Sequence, residues 1–185
     1  MKSLSFLCTL VIGSVIIGCG SSQNTAISSA EMAAVDTLIH QKKFRIENQW
    51  AMPTMSSSMM QIANSGLMLP GNSAQRINLA GNANYLEVKG DSVKAYLPFF
   101  GERQMGGGYN DDEAIKFNQE VKDMDIEYIE NKKHYRIKFS ANNNTESFNV
   151  TLMVYNNEKT TLTVNSSERD MIGYQGTIMP LPDKK

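Results

Sequence analysis

The chain is poor in the residues that do covalent chemistry or hold a soft metal: two cysteines, two histidines and one tryptophan in 185 residues. Both cysteines, Cys8 and Cys19, lie near the start, so the rest of the chain holds no disulfide, no thiol nucleophile and no thiolate metal site. Surplus positive charge is missing too. Eighteen Lys and Arg stand against nineteen Asp and Glu, a net charge of −1, which leaves no source for the phosphate neutralisation that dominates nucleic-acid binding. Nucleic acid is not an expected partner. Long apolar runs are also lacking: the longest, residues 4–17, has 14 residues broken only by small ones, short of the roughly 20 that a spanning helix needs. No Gly-x-Ser-x-Gly elbow, His-Glu-x-x-His pair or dinucleotide-binding glycine fingerprint occurs. A non-catalytic protein without cofactor is therefore expected.

What is present begins at the N-terminus. Lys2 supplies a positive start, the apolar run follows, and Ile16-Ile17-Gly18-Cys19 closes it as a bacterial lipobox does. The residue types follow the chemistry. A free Cys19 sulfur takes a diacylglyceryl group through a thioether, and only a small residue such as Gly18 fits the signal peptidase beside the scissile bond. Residues 1–18 are thus expected to leave as a signal peptide, taking Cys8 with them. Cys19 becomes the acylated first residue, its amine also carrying an acyl chain such as palmitate. Two or three chains, at about 0.8 kcal/mol per buried methylene, anchor a protein stably. Gly20, Ser21 and Ser22 follow, with no Asp to signal inner-membrane retention and no acidic cluster of the kind associated with surface display. The expected place is the outer membrane, facing the periplasm, with the cell surface as the alternative.

Residues 19–27 read as the lipidated Cys and a polar tether, and residues 28–185 as one domain. Ser28-Ser29-Ala30-Glu31 is a capping box, and Met32, Val35, Leu38 and Ile39 then recur at helical spacing, which predicts a helix over 29–42. From Phe44 the period is two. Gly90-Asp91 reads as a hairpin turn that pairs Val88 with Val93, Glu87 with Lys94 and Leu86 with Ala95. Across residues 130–133 the same counting pairs Tyr128 with Tyr135, Glu127 with Arg136, Ile126 with Ile137, Asp125 with Lys138 and Met124 with Phe139. Phe148, Val150, Leu152 and Val154 alternate with polar residues, Asn156-Asn157 turns, Leu162 and Val164 return, and a last strand covers 172–178. Nine or ten short strands joined by hairpins predict a mainly β fold, an antiparallel barrel or alternatively a β-sandwich, with one N-terminal helix.

Residues 48–86 break the pattern, with a single charge, Arg76, and five of the twelve methionines. Pro53, Pro70, Gly66, Gly71 and Gly81 are expected to deny this segment a long helix or strand, leaving an extended, apolar cover. Met52, Met55, Met59 and Met60 have thioether spacing that suits Cu(I), but no His or Cys is near in sequence. Gap-filling or a ligand-facing lid is the preferred reading, and no metal is expected. Asp123, Asp125 and Glu127 could suggest calcium, yet two of the three have cross-strand cations and no turn glycine lies among them. Asp111-Asp112-Glu113 follows Gly106-Gly107-Gly108 in what reads as a connector, without the Gly-Lys-Ser/Thr ending of a phosphate cradle. His40 and His134 lack a second ligand at i+2 or i+4 and read as capping or surface residues. Trp50, Tyr96, Phe99, Phe100 and Tyr174 are aromatics that core packing or a hydrophobic pocket would use.

Gly90-Asp91-Ser92-Val93, Tyr96-Leu97-Pro98-Phe99-Phe100-Gly101, Ile115-Lys116-Phe117 and the closing Ser166-x-x-Arg169-x-x-Ile172-x-Tyr174-x-Gly176-x-Ile178 resemble the family of domain of unknown function 4251, over about residues 44–178. Its members look like lipoproteins of Gram-negative bacteria. The chain departs from the family pattern in having Phe99 where Tyr is common, and Glu102 ahead of Arg103 where a basic residue usually follows the glycine directly. The resemblance implies a lipocalin-like β-barrel and no activity. The expected function is a binding module for a small hydrophobic or envelope-derived ligand. Trp50, Met52, Met55, Met59, Met60, Tyr96, Phe99 and Phe100 are the candidate ligand contacts, and a protein-interaction module of an outer-membrane assembly is the alternative.

Overall fold

A computed structural model of the chain describes residues 29–104, 114–143 and 146–182. The expected signal segment, Cys19, the 106–108 glycines and the 111–113 acids lie outside the described residues. Helix α1 (Ser29–Gln41) leads into β1 (Lys43–Pro53), then α2 (Ser57–Asn64), β2 (Ile77–Asn78), β3 (Tyr85–Lys89), β4 (Ser92–Leu97) and β5 (Ile115–Glu120). There follow β6 (Asp125–Ile129), β7 (His134–Asn142), β8 (Ser147–Tyr155), β9 (Lys159–Ser166) and β10 (Ile172–Met179). All ladders are antiparallel, in the order β5-β4-β3-β1-β10-β9-β8-β7-β6, with β2 beside β1.

That order forces curvature. β5 and β6 follow one another in sequence yet stand at opposite ends of the sheet. Laid flat, nine strands would separate those ends by roughly 38 Å, whereas the chain from Glu120 to Asp125 reaches at most about 18 Å. The sheet therefore curls into a half-barrel, bringing Phe117 of β5 to 6.2 Å from Phe139 of β7 and 5.7 Å from Phe148 of β8. The Asn142 N–H of β7 donates to Gln119 Oε1 at 3.3 Å. The inward parity supplies one continuous core in which Phe44, Ile46, Leu86, Leu97, Ile137, Phe148, Leu152, Leu162 and Tyr174 are fully buried. Side chains thus fill the concave side.

Both hairpin registers read from the sequence hold in the strands. Met124 falls just before β6, half-buried against the core. α1 buries Val35 and Ile39 and half-buries Met32 and Leu38. It spans from β1 to β7, where the Tyr135 hydroxyl donates to Asp36 Oδ1 at 3.0 Å. Burial first, then that bond and the Asp36 charge, push the Tyr135 phenol up to about 12. Lys42, at φ 47°, ends the helix and pairs with Asp91 at 2.8 Å.

The 48–86 segment is more regular than its prolines and glycines suggest. β1 continues through Trp50 and Met52 to Pro53 as an 11-residue strand, because β10 pairs it on one side and β3 and β2 on the other. Pro53 is tolerated as its last residue. Midway the register slips between Asn48 and Trp50. Phe44, Ile46 and Asn48 point inward before this bulge, Ala51 and Pro53 after it. The Asn84 side chain serves the backbone there, its Oδ1 accepting from the Asn48 N–H at 2.8 Å and its Nδ2 donating to the Asn48 carbonyl at 3.0 Å. His134 is buried, not surface, with the ring of its cross-strand neighbour Tyr155 tilted against it at 5.3 Å.

Candidate functional site

An apolar cleft lies between α2, the loop that follows it and the 98–101 corner. The run Ser56-Ser57-Ser58 starts α2, the Ser56 hydroxyl accepting from the Met59 N–H at 3.2 Å. Ser65 ends it and Gly66, at φ 73°, turns the chain away. Met59 is buried beneath the helix while Met60 and Ile62 are exposed. In the loop Met68 tucks against the core, and Leu67 and Leu69 stand 79% and 72% exposed.

The opposite wall is pinned from below. Pro98 follows β4, and its carbonyl accepts from the buried Tyr174 hydroxyl at 2.8 Å. Phe99 turns inward, and at Gly101, φ 156°, a Cβ would stand 2.9 Å from the Phe99 ring, so the corner requires glycine. The Arg169 guanidinium lies 5.2 Å from the Phe99 ring centre. Its Nε donates to both oxygens of the fully buried Glu146 carboxylate, at 2.9 and 3.1 Å, and the Ser166 hydroxyl bonds the same carboxylate. This buried pair locks the start of β8 to the β9–β10 turn and, through Phe99, to the corner. Glu102 completes the frame: hydrogen bonds from Ser58 and Ser56, in the first turn of α2, hold its carboxyl below the usual glutamate range. The resulting cleft has a volume of about 460 Å³, with Met59, Ile62, Leu67, Met68, Phe99 and Phe100 among its lining.

Of the residues singled out from sequence, Met59, Phe99 and Phe100 meet in this cleft. Met55 and Met60 are exposed and do not line it. The others go elsewhere. Trp50 and Met52 occupy the outer face of β1, Trp50 beneath the Arg76 guanidinium at 3.8 Å and Met52 against Gly173. Tyr96 is on the outer face of β4, with Lys116 5.2 Å above its ring. Ile62, Leu67, Leu69 and Ile77 also line the cleft and were not singled out; an exposed Leu at a loop tip has no periodicity to announce it. Among the described residues no three His, Cys, Asp or Glu side chains gather as a metal site, and no helix is long and apolar enough to cross a membrane.

Fold and cleft together define an antiparallel half-barrel domain with a helix on its concave side and a surface cleft at one corner. The sequence profile of the family described as domain of unknown function (DUF4251) matches residues 26–178, and the chain belongs to that family. A crystal structure of a DUF4251 family protein from Bacteroides eggerthii DSM 20697, 14% identical, matches over 84% of this chain and 91% of that one with a TM-score of 0.56. At that identity the likeness establishes the fold alone. No curated protein matches the chain.

Proposed function

We propose that the mature chain is a non-catalytic binding module, lipid-anchored through Cys19 at the outer membrane and facing the periplasm, whose corner cleft takes a small hydrophobic ligand. The observation that carries this reading is the cleft itself, an open apolar hollow of about 460 Å³ whose Phe99 wall is backed by a buried ion pair. The concave side is filled by the protein's own side chains, so the ligand site is the surface cleft and not a barrel lumen. The outward aim of Leu67, Leu69 and Met60 favours a second reading, in which the same rim docks an outer-membrane protein.

Native mass spectrometry of the full chain, gently extracted from membranes, tests the first reading. The expected result is an adduct of defined mass that disappears when Ile62→Glu and Leu67→Glu are combined, while circular dichroism keeps its strand signature. An adduct that survives both changes removes the cleft from consideration. A clean apo mass, with cross-links to an envelope protein formed through Leu67, would favour the second reading.

A further inference from the structure

The outer face of the sheet carries a second, polar cleft of about 430 Å³ that shares no lining residue with the first. Trp50, Arg76, Tyr155, Lys159, Thr161 and Gln175 are on its walls. Two singular residues of the sequence meet there. Trp50 is the only tryptophan, Arg76 is the only charge between Glu47 and Glu87, and the fold sets the guanidinium 3.8 Å from the centre of the indole. The arrangement is built from the backbone outward. β2 pairs Asn78 with Trp50, which places Arg76 beside the ring. Ser73 and Arg76 exchange backbone hydrogen bonds of 2.9 and 3.1 Å, and Asn72 Oδ1 accepts from the Asn78 N–H at 2.8 Å.

Stacking uses the face of a guanidinium and leaves its N–H edge to meet a planar or tetrahedral oxyanion. Neither Arg76 nor Lys159, its cationic neighbour on the cleft wall, makes an ion pair among the described residues. The exposed Glu47 and the half-buried Glu158 adjoin this region in sequence without reaching either cation. Gln175 and Thr161 add amide and hydroxyl groups, which suit the alternating donors and acceptors of a sugar rather than an apolar tail.

We infer that this cleft binds an oxyanion carried on a saccharide, a sugar phosphate or sugar carboxylate. Arg76 takes the anion in a bidentate grip, Lys159 adds the second charge, and Gln175 and Thr161 meet the hydroxyls. The lone tryptophan makes the site its own reporter. The full chain, in a non-ionic detergent, is titrated with glucose 1-phosphate, glucuronate, glucose and inorganic phosphate while Trp50 emission is followed. Expected is a saturable change with glucose 1-phosphate or glucuronate, tighter than with glucose or phosphate alone. Arg76→Gln should weaken it about tenfold or more and Lys159→Gln severalfold, in line with loss of a charged hydrogen bond. Lys159 lies on β9, outside the turn that carries Arg76, so the Lys159→Gln result stands even if Arg76→Gln disturbs that turn. Competition by lipid A, an acylated and phosphorylated disaccharide, would assign the sugar to a lipid, and lack of competition to a soluble molecule. No saturable change with either anionic sugar, glucose binding as tightly as its phosphate, or unchanged affinity in both variants would overturn the site.

Discussion

Single residues set the geometry of the corner cleft through charge placed where water is scarce or a helix begins. Glu102 is the clearest case. Hydrogen bonds from Ser58 and Ser56, at the start of α2, hold its exposed carboxyl below the usual glutamate range. Because those bonds favour the charged form, its folded pKa is lowered, so its contribution is present at neutral pH. That contribution is lost as pH falls through and below the ordinary glutamate range. In amide NMR titrations Ser56 and Ser58 should therefore report a midpoint below that of a free glutamate, and Glu102→Gln should abolish the step. A midpoint at the ordinary value would rule out hydrogen bonds to the carboxylate. Glu146 and Arg169 are the opposite kind of charge, a pair sealed from solvent. Arg169 and Tyr174 of the closing motif tie strand ends together, the first through Glu146 and the second through the Pro98 carbonyl. Glu146 was not legible, because a glutamate among polar residues in a turn reads as solvated until the fold covers it.

At the scale of elements, hairpins were the legible part. Apolar residues and opposite charges coincided when strands were counted outward from Gly90-Asp91 and from the 130–133 turn, and the observed registers are those. The 48–86 segment was not legible, because β1 changes face at its bulge and period-two counting fails there. The bulge also explains Gly176 of the closing motif. A Cβ at that position would overlap the Glu47 carbonyl and stand 2.9 Å from Asn48 Cα, both backbone and unable to yield. At Gly173 the nearest atom is Met52 Cε at 3.2 Å, the mobile end of a flexible side chain. Urea denaturation should accordingly show Gly176→Ala destabilised by about 1–3 kcal/mol and Gly173→Ala by less than about 1 kcal/mol. Equal effects would show that the bulge does not constrain β10.

For the whole molecule, topology and anchoring are separate matters. β1 joins the β3–β5 meander to the β6–β10 meander, so the first and last strands are neighbours, and curling brings the two sheet ends together without a ladder between them among the described residues. α1, which buries Val35 and Ile39 on the core, is where the proposed tether enters the domain. If the lipid on Cys19 alone holds the protein to the membrane, Cys19→Ser should move the chain from the membrane fraction to the soluble periplasmic fraction with its unfolding midpoint unchanged. Retention in the membrane fraction would point to a second contact, and the exposed rim around Leu67 and Leu69 is where it would lie.

Local signals in the chain were enough to determine the strand-rich class, the N-terminal helix and two hairpin registers. Each rests on the spacing of a few neighbouring residues, which the linear order preserves. The tertiary structure decided which sheet face each candidate side chain occupies. Met59, Phe99 and Phe100 converge although some 40 residues separate Met59 from the two phenylalanines in sequence, whereas Trp50 and Tyr96 were turned to the outside. The physical reason is that a β-strand offers its two faces equally to every residue. A bulge, a partner strand or a buried ion pair from a distant segment settles which face meets the core, and none of these is written in the local pattern.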